Sequence, residues 1–296
     1  MSPPETMASQ SSFTERPGRG APEPGPITSI RPSTGWAPLH LREIWQYREL
    51  LYFLTWRDVK VRYKQTVLGV LWAVVQPLLT MLIFSVVFGR LARLPSDGIP
   101  YPLFAYCALV PWGYFSNVLA HGSTSLVDHG RLITKVYFPR LLLPAASVAG
   151  GLLDLAMSFL VLLAMMAYYR ITPTIAVWSL PLFVLLAATT AFAASLWLSA
   201  LNVQYRDVKY IIPFLMQVWL FVTPVAYSTS LVPARWRPLA GLNPMSGVVD
   251  GFRWALLGKP AAPGGTLAVA IVAVSLLLVG GLFWFRRMER QFADVV

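Results

Sequence analysis

The sequence predicts an all-α polytopic membrane protein: six transmembrane helices, an N-terminal amphipathic interfacial helix ahead of them, and a short outer helical hairpin before the last span. Three observations predict it. Charged residues make up 12% of the 296-residue chain and hydrophobic residues 56%, where ordinary globular chains carry ~25% charge; the mean hydropathy is +0.58. Six apolar stretches, at about 65–89, 101–126, 141–169, 174–201, 210–229 and 266–285, approach or exceed the ~20 residues that cross a bilayer as a helix. The formal charge of +11 is dispersed between these stretches instead of gathered in one stripe, which marks topology and argues against nucleic-acid binding.

Ahead of the spans, residues 1–38 hold eight prolines and no apolar core of signal-peptide length, so a disordered tail is expected there. Residues 39–64 place Leu41, Ile44, Trp45, Tyr52, Trp56, Val59 and Tyr63 at near-helical spacing, with Arg42, Glu43, Arg48, Glu49 and Lys60 between them. The charges forbid spanning, and an amphipathic helix in the membrane interface fits; a soluble helix packed on a partner is the alternative. The spans then form one domain, 65–286, and 287–296 is the C-terminal tail. With the N-terminus inside, twelve juxtamembrane Lys and Arg fall on the cytoplasmic side against seven outside, which puts both termini in the cytoplasm. The lone Cys107 excludes a disulfide within the chain or a multi-cysteine metal site and reads as a small buried residue.

Segment 230–258 is too interrupted to span and too apolar for a free loop. Pro233 can open one short helix, Asn243 and Pro244 form the N-cap and first turn of a second, and Gly258 suits its C-cap. A helix over 244–257 is about 21 Å long at 1.5 Å per residue, less than the ~30 Å hydrocarbon core. A hairpin dipping into the outer leaflet is therefore expected, with Arg253 counted among the outer cations. Backbone at that depth is tolerated where protein or a watery cavity covers it, which points to a pore mouth.

Four stretches in order resemble one family: Arg62-Tyr63-Lys64-Gln65-Thr66-Val67-Leu68-Gly69 leading to Trp72 and Pro77; Leu132-Ile133-Thr134-Lys135-Val136-Tyr137-Phe138-Pro139-Arg140; Tyr205-Arg206-Asp207-Val208; and Asn243-Pro244-Met245 with Gly251-Phe252-Arg253. Together they resemble the permease subunits of type-2 ABC exporters for O-antigen, capsule or teichoic-acid chains. The resemblance implies a homodimer around a central conduit for lipid-linked polysaccharide in the bacterial inner membrane. It also implies two copies of a separate ATPase subunit, which binds ATP and Mg, docked on the cytoplasmic side, and gate helices on the outer side, the hairpin residues Pro233, Trp236, Asn243, Pro244 and Arg253.

The residues themselves bear on that implication. The chain has no G-x-x-x-x-G-K-[ST]: Gly258-Lys259 is followed by Pro260, and Arg253 stands where the first glycine belongs. It carries no ATPase site or cofactor of its own, so energy would come from a partner. Docking surface is offered by the interfacial helix, with Arg48 and Trp56, and by loop 127–140, where Asp128 can cap a short helix bearing Arg131, Lys135 and Tyr137; an ordinary basic loop is the other reading. A conduit calls for polar and aromatic stripes inside apolar spans. Gly69, Trp72, Gln76 and Thr80 share one face of the first span, and Tyr210, Phe214, Gln217 and Phe221 one face of the fifth. Rings stack on the apolar faces of sugars and amides bond hydroxyls; equally, such residues can pack helices together.

Asp154 lies about thirteen residues into the third span and must face protein or water. A polar link to a neighbour is the expectation, on one face with the small residues Ser147, Gly151 and Ser158. Ala191, Ser195 and Ser199 form a second small-residue seam. A membrane enzyme acting on lipid-linked sugars is the competing class, but D-x-D and H-E-x-x-H are absent and His40, His121 and His129 are dispersed. An exporter of small hydrophobic drugs or lipids, and a scaffold, are further alternatives.

The topology is testable by labelling. In a chain lacking Cys107, cysteines at Ser96 and Thr229 should react with an impermeant thiol reagent from outside, and cysteines at Thr134 and Gln291 should not; external labelling at Thr134 reverses the orientation.

Overall fold

The computed structural model describes residues 45–64, 67–233, 235–258 and 264–289. The expected tail, the first residues of the interfacial helix and the last seven residues lie outside them. The described chain is all helical. Helix α1 is Arg48–Lys64, α2 Val67–Phe84, α3 Tyr101–Asp128, α4 Gly130–Lys135, α5 Leu142–Tyr168, α6 Leu180–Gln204, α7 Val208–Val222, α8 Arg237–Ala240, α9 Pro244–Leu257 and α10 Gly264–Glu289. Among the described residues five helical segments are long and apolar enough to cross a membrane, and α7 is a shorter apolar helix. The chain is a polytopic membrane protein.

Local chemistry sets the boundaries. Pro100 precedes α3 and Pro102 stands in its first turn, where a missing N–H costs nothing. Just past α2 the Ser85 hydroxyl bonds the Met81 carbonyl at 2.7 Å, and from Ser85 to Leu91 the helix continues as a π-helix; a side chain competing for the backbone ladder accompanies such departures. The Asn243 side chain accepts from the Met245 N–H at 3.2 Å to start α9, and Gly258, at φ 71°, ends it.

Three expected boundaries differ. The short helix of the hairpin does not open at Pro233; it is α8, Arg237–Ala240. The fifth apolar stretch is helical only to Val222, because Thr223 precedes Pro224 and takes an extended conformation at ψ 137°; fifteen residues make about 22 Å of helix. Asp128 does not cap α4. It closes the last turn of α3, where the Thr124 hydroxyl bonds it at 2.6 Å, and His129 precedes α4 without a side-chain cap.

Helix α3 is the core of the bundle. It packs against α5, α6 and α9 and, less extensively, α2 and α7, while α6 in turn packs on α10. Of the 28 residues of α3, 18 are buried, whereas only 6% of the apolar window Val74–Leu91 is, and Ile212 is the sole buried residue of α7. Small residues allow the close approaches. A Cβ on Gly122 would stand 2.5 Å from the Ser195 hydroxyl, one on Gly151 2.5 Å from Val118, and one on Gly251 2.2 Å from the Phe183 ring. Helix α10 meets α6 through Trp197, whose indole N–H donates to the Leu277 carbonyl at 3.0 Å and whose ring stacks on Trp284 at 5.5 Å.

Helix α1 runs alongside α5. Leu54 enters a buried cluster with Leu126, Ile133, Phe138 and Leu142, Val59 meets Gly150 at 3.8 Å from where a Cβ would stand, and Arg62 and Tyr63 reach Asp154, the middle of α5. Its other face leaves Tyr52, Phe53 and Trp56 exposed, and Trp45 just ahead of it is exposed as well.

Overpacking a tight contact of this kind costs about 1–3 kcal/mol. Gly251→Ala should therefore lower the temperature at which the detergent-purified protein loses its monodisperse peak in size exclusion, whereas Gly113→Ala, which meets nothing within 4 Å, should leave it unchanged.

Candidate functional site

The two stripes singled out in the sequence are open in the single chain. Tyr210, Phe214 and Phe221 are 72%, 67% and 55% exposed, and Gln217 between them is exposed as well. Trp72 of α2 is 59% exposed, Gln76 is exposed, and Thr80 is half-buried with its hydroxyl on the Gln76 carbonyl at 2.9 Å. Neither set of side chains is enclosed by the bundle. Beside Tyr210, the Lys209 ammonium lies 4.9 Å from the ring centre.

A third open face was missed. Along α3, otherwise the most enclosed helix, Gly113, Ala120, His121 and Asp128 are exposed and Ser116, Asn117 and Thr124 half-buried. They recur three or four residues apart and are small or polar. The His121 Nδ1 pairs with the Asn117 carbonyl at 2.9 Å. The spacing was present in the sequence; what concealed it is that each residue is individually weak and that Gly and Ala read as packing.

The basic end of the bundle gathers the residues expected to dock a partner. Ile133 and Phe138 are buried and pin α4 and the following loop, so that Arg131 and Lys135 project outward and Tyr137 is 88% exposed. On α1, Arg48 lies over the Trp45 ring and Lys60 over Trp56, 5.8 and 5.7 Å from the ring centres. The structure joins the two elements. Arg57 pairs with Asp58 at 2.8 Å and hydrogen-bonds His129 Nε2, while His129 Nδ1 meets the Ser125 carbonyl at 2.8 Å. Arg140 donates to the main-chain carbonyl of Glu289, tying the end of α10 to the same base.

At the opposite end, the hairpin residues divide. Pro233 and Trp236 are exposed, Trp236 beneath the Arg235 guanidinium at 5.6 Å. Asn243 is a junction: its amide donates to Thr223 Oγ1 at 2.9 Å and its oxygen accepts from the Trp219 indole at 2.9 Å. Pro244 is buried behind it. Arg253, counted from sequence as an outer juxtamembrane cation, is 0% exposed. Its guanidinium donates to the carbonyls of Pro224 at 2.6 Å, Val225 at 2.7 Å, Tyr227 at 3.3 Å and Phe104 at 3.3 Å, and sits 3.5 Å from the Phe104 ring centre. Five N–H donors in a planar fork suit that cage. Thr229, named as a labelling position, is buried with its hydroxyl on Asp250 at 2.6 Å; exposed Ser230 reports on that segment instead.

Asp154 is buried and accepts from Arg62 Nη1 at 2.5 Å, from the Asn117 amide at 2.9 Å and from the Tyr63 hydroxyl. A bare charge at mid-span costs ~2.5–3.5 kcal/mol on insertion scales; here a cation and two neutral donors offset it. Ser147, Gly151 and Ser158 on α5 and Ala191, Ser195 and Ser199 on α6 are buried, as packing seams require. Among the described residues no group of three His, Cys, Asp or Glu could hold a metal ion.

These features coincide with a known pattern. The signature of ABC-2 type transporters matches residues 49–257, the stretch from α1 to the end of the hairpin. An O-antigen export system permease protein RfbA from Myxococcus xanthus is 34% identical over 263 residues, covering 86% of this chain and 98% of the relative. A protein of the same name from Klebsiella pneumoniae is 27% identical, over 84% of this chain and 95% of its own length. The polysialic acid transport protein KpsM of Escherichia coli is 22% identical, over 79% of this chain and 91% of its own. The chain is a membrane-embedded permease subunit belonging to the ABC-2 type transporter family.

Proposed function

We propose that this permease forms the conduit of an exporter that moves lipid-linked polysaccharide of the O-antigen type across the bacterial inner membrane. Two copies enclose the path, and two copies of a separate ATPase subunit, which hold ATP and Mg, drive it. The basic end carrying Arg48, Trp56, Arg131, Lys135 and Tyr137 faces the cytoplasm with both termini, and the hairpin of Pro233, Trp236, Asn243, Pro244 and Arg253 forms the outer gate. In this arrangement α7 completes a sixth crossing. Its 22 Å of helix, by the ~1.5 Å rise per residue, is extended by the turns at 223–228, whose Thr223, Val225 and Ala226 are buried in protein, the condition under which irregular backbone is tolerated at membrane depth.

The observation that carries the reading is the open stripe of α7. Three rings and an amide lie on one face about 16 Å long, and the chain itself covers none of them. A ring and amide surface of that length matches several sugars at once, binding their C–H faces and hydroxyls without fixing one residue, so a chain can slide along it. Trp72 and Gln76 of α2 offer the same chemistry on a second open helix. The resemblance to two O-antigen export permeases and a polysialic acid transport protein supports a polymer of sugars over a small amphiphile.

Cells lacking the gene should lose surface polysaccharide and regain it with the intact chain. Replacing Phe214 or Phe221 by Ala should slow export about 2- to 12-fold per ring, the equivalent of ~0.5–1.5 kcal/mol of stacking, at unchanged amounts of folded permease, while Trp or Tyr preserves it. Pulse-labelled surface polysaccharide measured beside the purified dimer distinguishes this from packing, where Ala lowers the amount of protein and Trp overfills the site.

A further inference from the structure

We infer that Asp154 is a positioning residue that couples the docking surface to the transmembrane core; this rests on the export reading and deepens it. Helix α1 is gripped at two levels along one face. At the lower level Arg57 and Asp58 meet His129, the residue joining α3 to α4, the helix that carries Arg131 and Lys135. At the upper level Arg62 and Tyr63 close on Asp154 in the middle of α5. Leu54 is buried between α4 and α5 residues, and Val59 lies against Gly150, so the intervening turns are held in register as well. A continuous helix of 17 residues is stiff over its ~25 Å, and a displacement of α4 is delivered to Asp154 instead of being absorbed on the way.

From Asp154 the path leads on. Asn117 of α3 donates to the same carboxylate oxygen as Arg62, and its main-chain carbonyl holds His121 on the open polar face of α3. One buried carboxylate thus joins a cation from α1, a phenol from α1 and an amide from α3. Among the described residues, Asp154 is where α1, α3 and α5 meet in one polar cluster; nearby, Tyr114 of α3 packs on Gly151 and donates its hydroxyl to the Val148 carbonyl of α5 at 3.2 Å, a bond that does not reach α1. Asp154 has the geometry of a pivot: removing its charge releases Arg62 while leaving the surrounding small-residue packing in place.

The test uses the intact permease assembled with its ATPase partner in proteoliposomes, scoring polysaccharide exported and ATP hydrolysed per folded complex. Asp154→Asn and Arg62→Gln should assemble and hydrolyse ATP, yet export per ATP should fall about tenfold, within the range usual for coupling between sites. The exchanged pair, Arg62→Asp with Asp154→Arg, should recover part of the loss. Chain exported per ATP that stays at the wild-type ratio in Asp154→Asn overturns the inference, and so does a drop in the amount of complex at an unchanged ratio, which marks Asp154 as structural only. If the unmodified complex couples hydrolysis to a different amphiphile, the polysaccharide reading fails, and the same ratio scored with that amphiphile still decides the role of Asp154.

Discussion

Four consecutive carbonyls, Pro224 to Tyr227, leave the helical ladder at the end of α7, and the rest of that half of the molecule depends on how they are satisfied. Unpaired backbone in hydrocarbon costs several kcal/mol per group. Arg253 takes Pro224, Val225 and Tyr227, and the Tyr101 hydroxyl takes Ala226 at 2.6 Å. One buried guanidinium from α9 and one phenol from α3 therefore make a short α7 possible. They also fix the hairpin, since α9 is anchored through Arg253 to both α3 and the turn, and Asn243 closes the same turn from the other side through Thr223 and Trp219. The exposed hairpin residues Pro233 and Trp236 are not among the groups that make this anchor.

The second organising feature is the uneven burial of the spans. Helix α3 is packed against five others, so most of its apolar residues lie in the core, and its open face carries small and polar residues. Helices α2 and α7 flank it and bury little. A helix of Leu, Ile and Phe can face lipid without cost, but Trp72, Gln76, Tyr210 and Gln217 carry donors and acceptors that hydrocarbon leaves unmet. Their exposure in a single copy is the observation from which the proposed path, completed by a second copy, is drawn. At the basic end the opposite holds: α1 and α4 are bound to the bundle by buried Leu54, Ile133 and Phe138 and present charge outward.

Much of this was legible in the sequence. Asn243-Pro244 and Gly258 mark the ends of α9 because capping is local chemistry, and the spacing of Tyr210, Phe214, Gln217 and Phe221 gives a shared face because a helix has one period. That Asp154 needs a neighbour follows from its depth alone. Which neighbour does not: Arg62 is 92 residues away, on a helix read as interfacial because its charges forbid spanning. Arg253 looked like an outer cation for a related reason. Charge counting assigns a cation to water, and only the three-dimensional return of Pro224–Tyr227 and Phe104 shows carbonyls enough to bury it. The early end of α7 was written in Pro224 but masked by the apolar run that continues past it. The polar face of α3 was present as a repeat of three and four, and lost among the glycines and alanines that also serve packing.

The central claim is that the open face of α7 touches the moving polymer. A photo-activatable phenylalanine analogue placed at Phe214 in the assembled exporter, irradiated while polysaccharide is being extruded, tests it most directly. The account predicts a glycan-bearing adduct of the permease that appears only with ATP and disappears when polymer synthesis is blocked. Adducts confined to phospholipid, or to the partner permease with no glycan under active export, would contradict it.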